Sequence, residues 1–210
     1  LVTNDDELAL RMKLIRNHAE ACVGDIGIND LRNMVGYNFR LGEIESAIGL
    51  SQLPKLKKII TERQRIAKRF DEVINDLKGI SGPKVLDGCS HVYYMYFMQI
   101  DSSKTGVSRD KIFAALRAEG VPGISTRFEN LHLLPMFQEK ICYGSSGFPW
   151  SLTERGRAMS YEKGICPVAE EFHDNSYLGF QMCLFAMENG EEELILSAFK
   201  KVWAGLDQLN

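Results

Sequence analysis

The longest regular pattern in the 210-residue sequence is a run of apolar residues between Gly42 and Leu77. Apolar side chains recur along it every three or four residues, which is the spacing of one face of an α-helix. Pro54 falls inside the run, and proline removes an internal hydrogen bond from any helix that contains it. We therefore predict a long helical region over 42–77 that is broken or kinked at Pro54.

The sequence before this region predicts one further helix. Asp6 to His18 has the apolar spacing of an amphipathic helix, and Asn4 or Asp5 is placed to cap it. The stretch 1–3 is typical of the end of a strand. Because a domain seldom starts in mid-strand, we expect an upstream portion beyond this sequence. Cys22 to Val35 has the glycine and asparagine content of a loop.

A second compact unit follows a Gly-, Ser- and Pro-rich linker at Gly79–Gly88. The unit's predicted strands are His91–Asp101, Val121–Phe128 and Tyr177–Phe185, and its predicted helices are Ser108–Glu119 and Glu191–Leu209. This alternation favours a small sheet with helices on one face. The fold class we predict is α/β, with a small α+β domain at the C-terminal end.

Composition restricts the classes of protein to which the chain can belong. Hydrophobic residues make up 45% of the sequence and the formal net charge is −3, so nucleic acid or a membrane surface is not expected as the main partner. The five cysteines form no Cys-x-x-Cys pair, which argues against zinc and fits reduced thiols. Reduced thiols are typical of a cytoplasmic protein, which is the location we expect. No apolar stretch reaches membrane-spanning length.

The segment GYNFRLGEIESAIGLSQLPKL, residues 36–56, carries the first candidate site residues. The amide of Asn38 can donate to a phosphate oxygen, and the guanidinium of Arg40 can pair with phosphate through two hydrogen bonds. The structural alternative is a turn in which Asn38 caps a helix and Arg40 forms a surface ion pair. Residue types alone leave both interpretations open.

Three more candidates lie close together at 127–132. Arg127 and Glu129 have the charges to meet a nucleotide diphosphate and a sugar hydroxyl, although a surface ion pair explains them equally well. His132 lies in an apolar stretch, where a histidine is either a satisfied core residue or a substrate contact. We keep both interpretations for each of the three residues.

Other motifs favour structural roles. The pair Glu170-Glu171 beside His173 permits a metal or acid–base role, but an exposed turn explains the same pattern. The spacing of His18, His91 and His173 is not that of metal ligands, so we predict no metal site. Trp150 is expected to pack in its loop, with stacking on a base as the alternative. No serine lies in a nucleophile-elbow pattern, so hydrolase chemistry has no support.

Four segments, taken together, resemble the DegT/DnrJ/EryC1/StrS aminotransferases, which are pyridoxal-phosphate (PLP) enzymes that aminate keto groups on nucleotide-linked sugars. The segments are LVTNDDELALRMKLIRNHA, GYNFRLGEIESAIGLSQL, RDKIFAALRAEGVPGISTRFENLHLLPMF and CPVAEEFHDNSYLGFQMCLF. They occur in the family's order and cover nearly the whole chain. The resemblance implies the C-terminal end of an aspartate-aminotransferase-like fold (fold type I). Residues 1–35 would then end the PLP-binding large domain, 36–88 would form a connecting loop and long helices, and 89–210 would form the small domain.

The resemblance also implies roles for individual residues. Asn38, with Arg40 beside it, would reach the cofactor phosphate of a neighbouring subunit, so the protein would be a homodimer with a shared active site. His132 would lie on the sugar-binding side, with Arg127 and Glu129 close to it. The family often has an aromatic-proline pair near this position, and its absence here leaves the choice of sugar open. The amino donor is expected to be glutamate.

One part of the family pattern is missing from this sequence. In the family, a lysine forms a Schiff base with PLP shortly before a Gly-Glu-Gly-Gly turn, and neither feature occurs here. The lysines that are present have the pattern of solvated helix residues, so we assign no catalytic residue to this chain. The sequence predicts the C-terminal portion of an aminotransferase. A truncated assembly or binding fragment of the same fold, or a non-catalytic regulator, is the competing class.

Overall fold

The computed structural model describes residues 1–19, 34–187 and 190–209, and these residues divide into two compact units between Lys57 and Lys58. Nearly all of the loop predicted at Cys22–Val35 lies outside the described residues. The finer domain boundaries predicted after residues 35 and 88 stay predictions.

The first unit contains helices α1 (Asp6–Arg16) and α2 (Glu43–Gln52). Asp5 caps α1, because its carboxylate accepts the Leu8 N–H at 3.0 Å. The expectation that residues 1–3 end a strand is wrong for the described chain. A strand requires a neighbouring strand to exchange backbone hydrogen bonds with, and no described segment pairs with these three residues.

Pro54 interrupts the long helical run as predicted. After α2 ends, Leu53–Lys55 forms a 3₁₀ turn and helix α3 then runs from Leu56 to Ile74. Proline fits the first turn of a helix because it has no N–H to leave unsatisfied there. The second half of α3 supplies five buried side chains: Ile66, Ala67, Phe70, Val73 and Ile74.

A four-stranded antiparallel sheet organises the second unit. Its strands are β1 (Ile80–Ser81), β2 (Tyr96–Ile100), β3 (Ile124–Ser125) and β4 (Tyr177–Phe180), in the order β1-β2-β4-β3. The three predicted strands are therefore present but shorter than expected. The fourth strand, β1, lies inside the predicted linker at Gly79–Gly88.

Helices and turns complete the second unit. The remaining helices are α4 (Ser102–Thr105), α5 (Arg109–Ala118), α6 (Pro135–Gln138), α7 (Glu154–Ala158), α8 (Pro167–Glu171) and α9 (Glu191–Ala204). A π-helical turn follows α8 at Phe172–Ser176, and 3₁₀ turns lie at Leu131–Leu133, Trp150–Leu152, Met182–Leu184 and Leu206–Leu209. Ser108 caps α5 as predicted, since its hydroxyl accepts the Lys111 N–H.

The core of the second unit lies between one face of the sheet and the helices α3, α5 and α9. Phe70 of α3 is fully buried, with its ring stacked 5.4 Å from that of Phe180 and 5.2 Å from that of Tyr96. Alternate residues of a strand point to opposite faces, so Phe97 and Tyr177 lie on the other side of the sheet. We call that side the open face. The small sheet with helices on one face is confirmed.

Candidate functional site

The segment that carries Asn38 is held by backbone hydrogen bonds to the end of α1. The Tyr37 N–H donates to the Ile15 carbonyl at 2.9 Å, and the Tyr37 carbonyl accepts the His18 N–H at 3.0 Å. Asn17 and Asn38 face each other in an isolated antiparallel bridge. The position of Asn38 is therefore fixed by the main chain, although its side chain is exposed.

Asn38 and Arg40 belong to one small polar cluster. The Asn38 Oδ1 accepts the Arg40 N–H at 3.4 Å, and an Arg40 guanidinium nitrogen donates to the Asn17 Oδ1. The helix that follows is capped by Gly42, so the alternative in which Asn38 caps a helix is wrong. Within the described residues, the Asn38 amide nitrogen makes no hydrogen bond and Arg40 makes no ion pair.

Helix α2 and its flanks expose an unusual number of large apolar side chains. Ile44 is 76% exposed and Leu50 is 73% exposed. The other members of this apolar surface are Leu41, Ile48 and Leu53. Exposed apolar patches are typical of protein–protein, membrane or ligand contacts.

The second group of candidates lies on the loop 126–132, which follows β3. Arg127, Phe128 and Glu129 are exposed, and the Arg127 N–H donates to the Ser125 Oγ at 3.2 Å. His132 is largely buried in the 3₁₀ turn that ends the loop. All three predicted substrate residues of this loop thus belong to one short segment of the second unit, whereas Asn38 and Arg40 belong to the first unit.

Arg109 fixes the beginning of this loop. The residue is only 6% exposed, although it carries a full positive charge. Its Nε donates to the Asp110 carboxylate at 2.7 Å. Its other two nitrogens donate, at 2.8 to 3.1 Å, to the backbone carbonyls of Thr126, His173, Asp174 and Tyr177. One guanidinium therefore joins the start of the loop to the π-helical turn and to β4.

Glu170 fixes the end of the loop. Its Oε1 lies 2.8 Å from the His132 Nε2, and the Gly164 and Cys166 N–H groups donate to the same carboxylate at 2.7 to 3.2 Å. The expectation of an exposed turn at Glu170 is wrong, because this carboxylate is buried among its hydrogen-bond donors. His132 has a hydrogen-bond partner, as the core interpretation requires.

The pKa of Glu170 is set by opposing effects. Burial raises the pKa of the carboxyl, but the backbone N–H groups of Gly164 and Cys166 and the side chain of His132 lower it more. The net pKa lies below the ordinary value of a glutamate, so Glu170 is an anion at neutral pH. Among the residues that the structure describes, no group of three His, Cys, Asp or Glu side chains is placed to hold a metal.

Trp150 packs within its own loop, as expected. It is 9% exposed, its indole N–H donates to the Tyr161 hydroxyl at 2.9 Å, and its ring meets that of Phe137 edge-on at 5.9 Å. These contacts satisfy the polar end of the side chain and bury its rings. Trp150 therefore has a packing role inside the loop region 135–161, to which it belongs.

Comparison with known proteins places the chain in a family. The sequence model of the DegT/DnrJ/EryC1/StrS aminotransferase family matches residues 1–162, so the chain belongs to that family. The chain is 28% identical over 166 residues to the spore coat polysaccharide biosynthesis protein SpsC of Bacillus subtilis, an alignment that covers 76% of this chain and 43% of that protein.

Two further relatives agree with this assignment. The chain is 28% identical over 142 residues to the GDP-perosamine synthase of Caulobacter vibrioides, covering 65% of this chain and 36% of that protein. The fold matches the crystal structure of a DegT/DnrJ/EryC1/StrS aminotransferase from Brucella abortus with a TM-score of 0.64 and 24% identity, covering 95% of this chain and 44% of that one. The predicted aspartate-aminotransferase-like fold is confirmed. The chain spans less than half the length of these relatives.

The described ranges 1–19, 34–187 and 190–209 contain the helices given above. None of the helices there is both long and apolar enough to cross a bilayer.

Proposed function

We propose that the chain is the C-terminal portion of a PLP-dependent aminotransferase that acts on a nucleotide-linked keto sugar. Membership of an aminotransferase family supports the reaction type, and the relative named GDP-perosamine synthase supports a nucleotide-linked sugar as the substrate class. The sequence contains no lysine followed by a Gly-Glu-Gly-Gly turn, so the lysine that binds the cofactor would lie outside these residues.

The observation that carries this proposal is the arrangement of Asn38 and Arg40. A phosphate requires hydrogen-bond donors whose positions are already fixed, and the main-chain bonds beside Asn38 supply that rigidity. The Asn38 oxygen is engaged by the Arg40 N–H, which leaves the amide nitrogen as the donor. Asn17 holds one guanidinium nitrogen of Arg40 and so orients the planar group. These residues fit the phosphate of PLP bound by a neighbouring subunit.

When it is bound, PLP supplies the electron sink that amine transfer requires. This chain's residues bind and orient the reactants. Arg127 carries the charge that a diphosphate requires, and Glu129 offers an acceptor to a sugar hydroxyl. His132, held by Glu170, forms the wall beside them. We further propose that the protein is a homodimer with a shared active site, that glutamate is the amino donor and that the protein is located in the cytoplasm.

Replacing Asn38 by alanine tests the proposal. In the assembled enzyme, we expect the PLP concentration for half-occupancy to rise by roughly tenfold or more, because a hydrogen bond to a charged phosphate is lost. PLP absorbance in a titration of the apoenzyme measures the change. Asn75→Ala is the matched control, since Asn75 is an exposed asparagine of the second unit. Equal PLP affinity of the Asn38→Ala variant and the unmodified enzyme would rule out the assigned contact.

The competing class is an assembly fragment without catalytic function. The apolar surface of α2 is compatible with it, because such a surface favours association with or without chemistry. The titration separates the two classes, since an assembly fragment has no cofactor phosphate for Asn38 to bind.

A further inference from the structure

A cavity of about 620 Å³ lies at the end of the sheet where β2 leads into α4. We call it the polar cavity. Its walls are β1, the last residues of β2, α4, the start of α5 and part of the π-helical turn. All of these segments belong to the second unit, so the cavity lies within one compact body. A volume of this size is typical of small-molecule sites.

The lining of the polar cavity is rich in groups that form hydrogen bonds. Hydroxyl and carboxamide side chains contribute to it, among them those of Ser81, Gln99, Asn175 and Ser176. The described residues that line it include no aromatic ring, so a flat aromatic ligand would find no surface on which to stack. The lining therefore suits a ligand that carries several hydrogen-bonding groups.

Ser176 supplies independent evidence for a ligand. The residue lines the polar cavity and is only 5% exposed, and its buried hydroxyl has no hydrogen-bond partner in the described chain. Buried polar groups without a partner are uncommon in folded proteins and call for an explanation. Because a hydroxyl both donates and accepts, a hydroxyl of a bound molecule is a suitable partner.

The charges around the polar cavity leave one carboxylate without a cation. Glu171 is exposed and makes no ion pair within the described residues, and its Oε2 accepts the Asn175 amide at 2.6 Å. The other lining carboxylates are each paired with a cation: Asp101 with Lys104 at 3.1 Å, Asp110 with Arg109 at 2.7 Å and Asp174 with Lys163 at 2.5 Å. Glu171 thus gives the cavity an excess of negative charge.

This charge restricts the class of ligand. An anion would be repelled by Glu171, and the Arg109 guanidinium already donates to Asp110 and to four backbone carbonyls. Among the described residues, no group of three His, Cys, Asp or Glu side chains could hold a metal ion. A neutral sugar would meet the hydroxyl and carboxamide groups but would leave the Glu171 charge unused. A sugar that also carries an ammonium group satisfies both features.

We propose that the polar cavity binds an amino sugar, with a ligand hydroxyl on Ser176 and the ligand ammonium group on Glu171. The assignment follows from the lining residues of the second unit and does not require PLP. An aminated sugar is also the product class of the proposed reaction, and that link alone rests on the proposed function.

Two-dimensional NMR titrations of the purified chain test this site without turnover. Glucosamine, glucose and glucuronate share one pyranose ring and differ in charge, and the titrations would be run at about pH 6, where the amine is protonated. Glucosamine should bind roughly threefold tighter than glucose or better, because only glucosamine pairs with Glu171. Glucuronate should bind most weakly. The backbone amide signals of Asn175 and Ser176 should shift as glucosamine is added.

Substitutions separate the two contacts. Glu171→Gln should abolish the preference for glucosamine over glucose, because the amide has equal size and no charge. Ser176→Ala should weaken glucosamine binding roughly threefold, since one hydrogen bond is lost. Glu154→Gln is the matched control, because Glu154 is an exposed glutamate that does not line the cavity. It should leave every affinity within about twofold of that of the unmodified chain, and thermal melts would confirm that each variant is folded.

The site is overturned if glucosamine does not saturate the chain by about 50 mM, if glucose binds as tightly as glucosamine, or if Glu171→Gln and Glu154→Gln have equal effects. A folded Ser176→Ala variant with unchanged affinity also overturns it, because a buried water would then explain the unpaired hydroxyl. None of these results bears on the Asn38 titration with PLP, so failure of this site and failure of the proposed function are distinguishable.

Discussion

Replacing Arg109 by leucine is expected to lower the free energy of unfolding of the second unit by about 3–5 kcal/mol. The substitution removes all the guanidinium donors, and four backbone carbonyls lose a partner that the apolar leucine cannot replace. Arg109→Lys should recover only part of the loss, because a single ammonium cannot reach groups arranged around a planar fork. Urea unfolding followed by circular dichroism measures both variants.

Arg155 supplies the control for this prediction. It is an exposed arginine on α7, and Arg155→Leu should change the free energy of unfolding by no more than about 0.5 kcal/mol. Equal effects of the substitutions at positions 109 and 155 would show that the buried guanidinium does not hold the loop 126–132. That result would also remove the physical reason for expecting Arg127 and Glu129 in fixed positions.

Replacing Glu170 by glutamine is expected to lower the melting temperature at neutral pH by at least about 5 °C. The neutral amide loses the charge-assisted bonds from Gly164, Cys166 and His132. The pKa of Glu170 is lower in the folded chain than in an unfolded one, so its stabilising effect is complete above the ordinary glutamate pKa of about 4.3. The effect is lost as the pH falls through the folded pKa. The difference between the two proteins should therefore shrink on acidification, as thermal melts at several pH values would show.

The control is Glu162→Gln, a change at an exposed glutamate only a few residues upstream. Its melting temperature should follow that of the unmodified chain across the same pH range. A Glu170→Gln variant that differs from the unmodified chain by the same amount at every pH would contradict the assignment of the anionic carboxylate as the group that anchors His132.

The sequence predicts local features well where short-range chemistry determines them. Asp5 and Ser108 cap helices because a side-chain oxygen and the free N–H groups of the first turn are all close in sequence. Pro54 ends a helix for an equally local reason. The strands are less predictable, since their ends depend on distant partners. Ile80 is in a strand only because it pairs with Ile100.

The roles of Arg109 and Glu170 could not be predicted from the sequence, because they too depend on residues that are distant along the chain. Arg109 and Glu170 lie in helices, where charged residues are usually solvated, and their partners are mostly brought to them by tertiary contacts. One sequence signal that was not used is the alternation of side chains along each strand. Strand alternation places Phe97 and Tyr177 on the face opposite Tyr96 and Leu178, so a second aromatic surface follows from the same period that identifies the core.

We propose that Asn38 and Arg40 complete a PLP site whose lysine lies outside this chain. Chemical trapping of PLP tests this proposal most directly. The purified chain would be mixed with PLP, reduced with borohydride, and analysed by intact mass and peptide mapping. We expect no adduct, or scattered labelling of exposed lysines well below one per chain. A single lysine modified in every molecule would contradict the claim, because the chain would then contain its own cofactor-binding lysine.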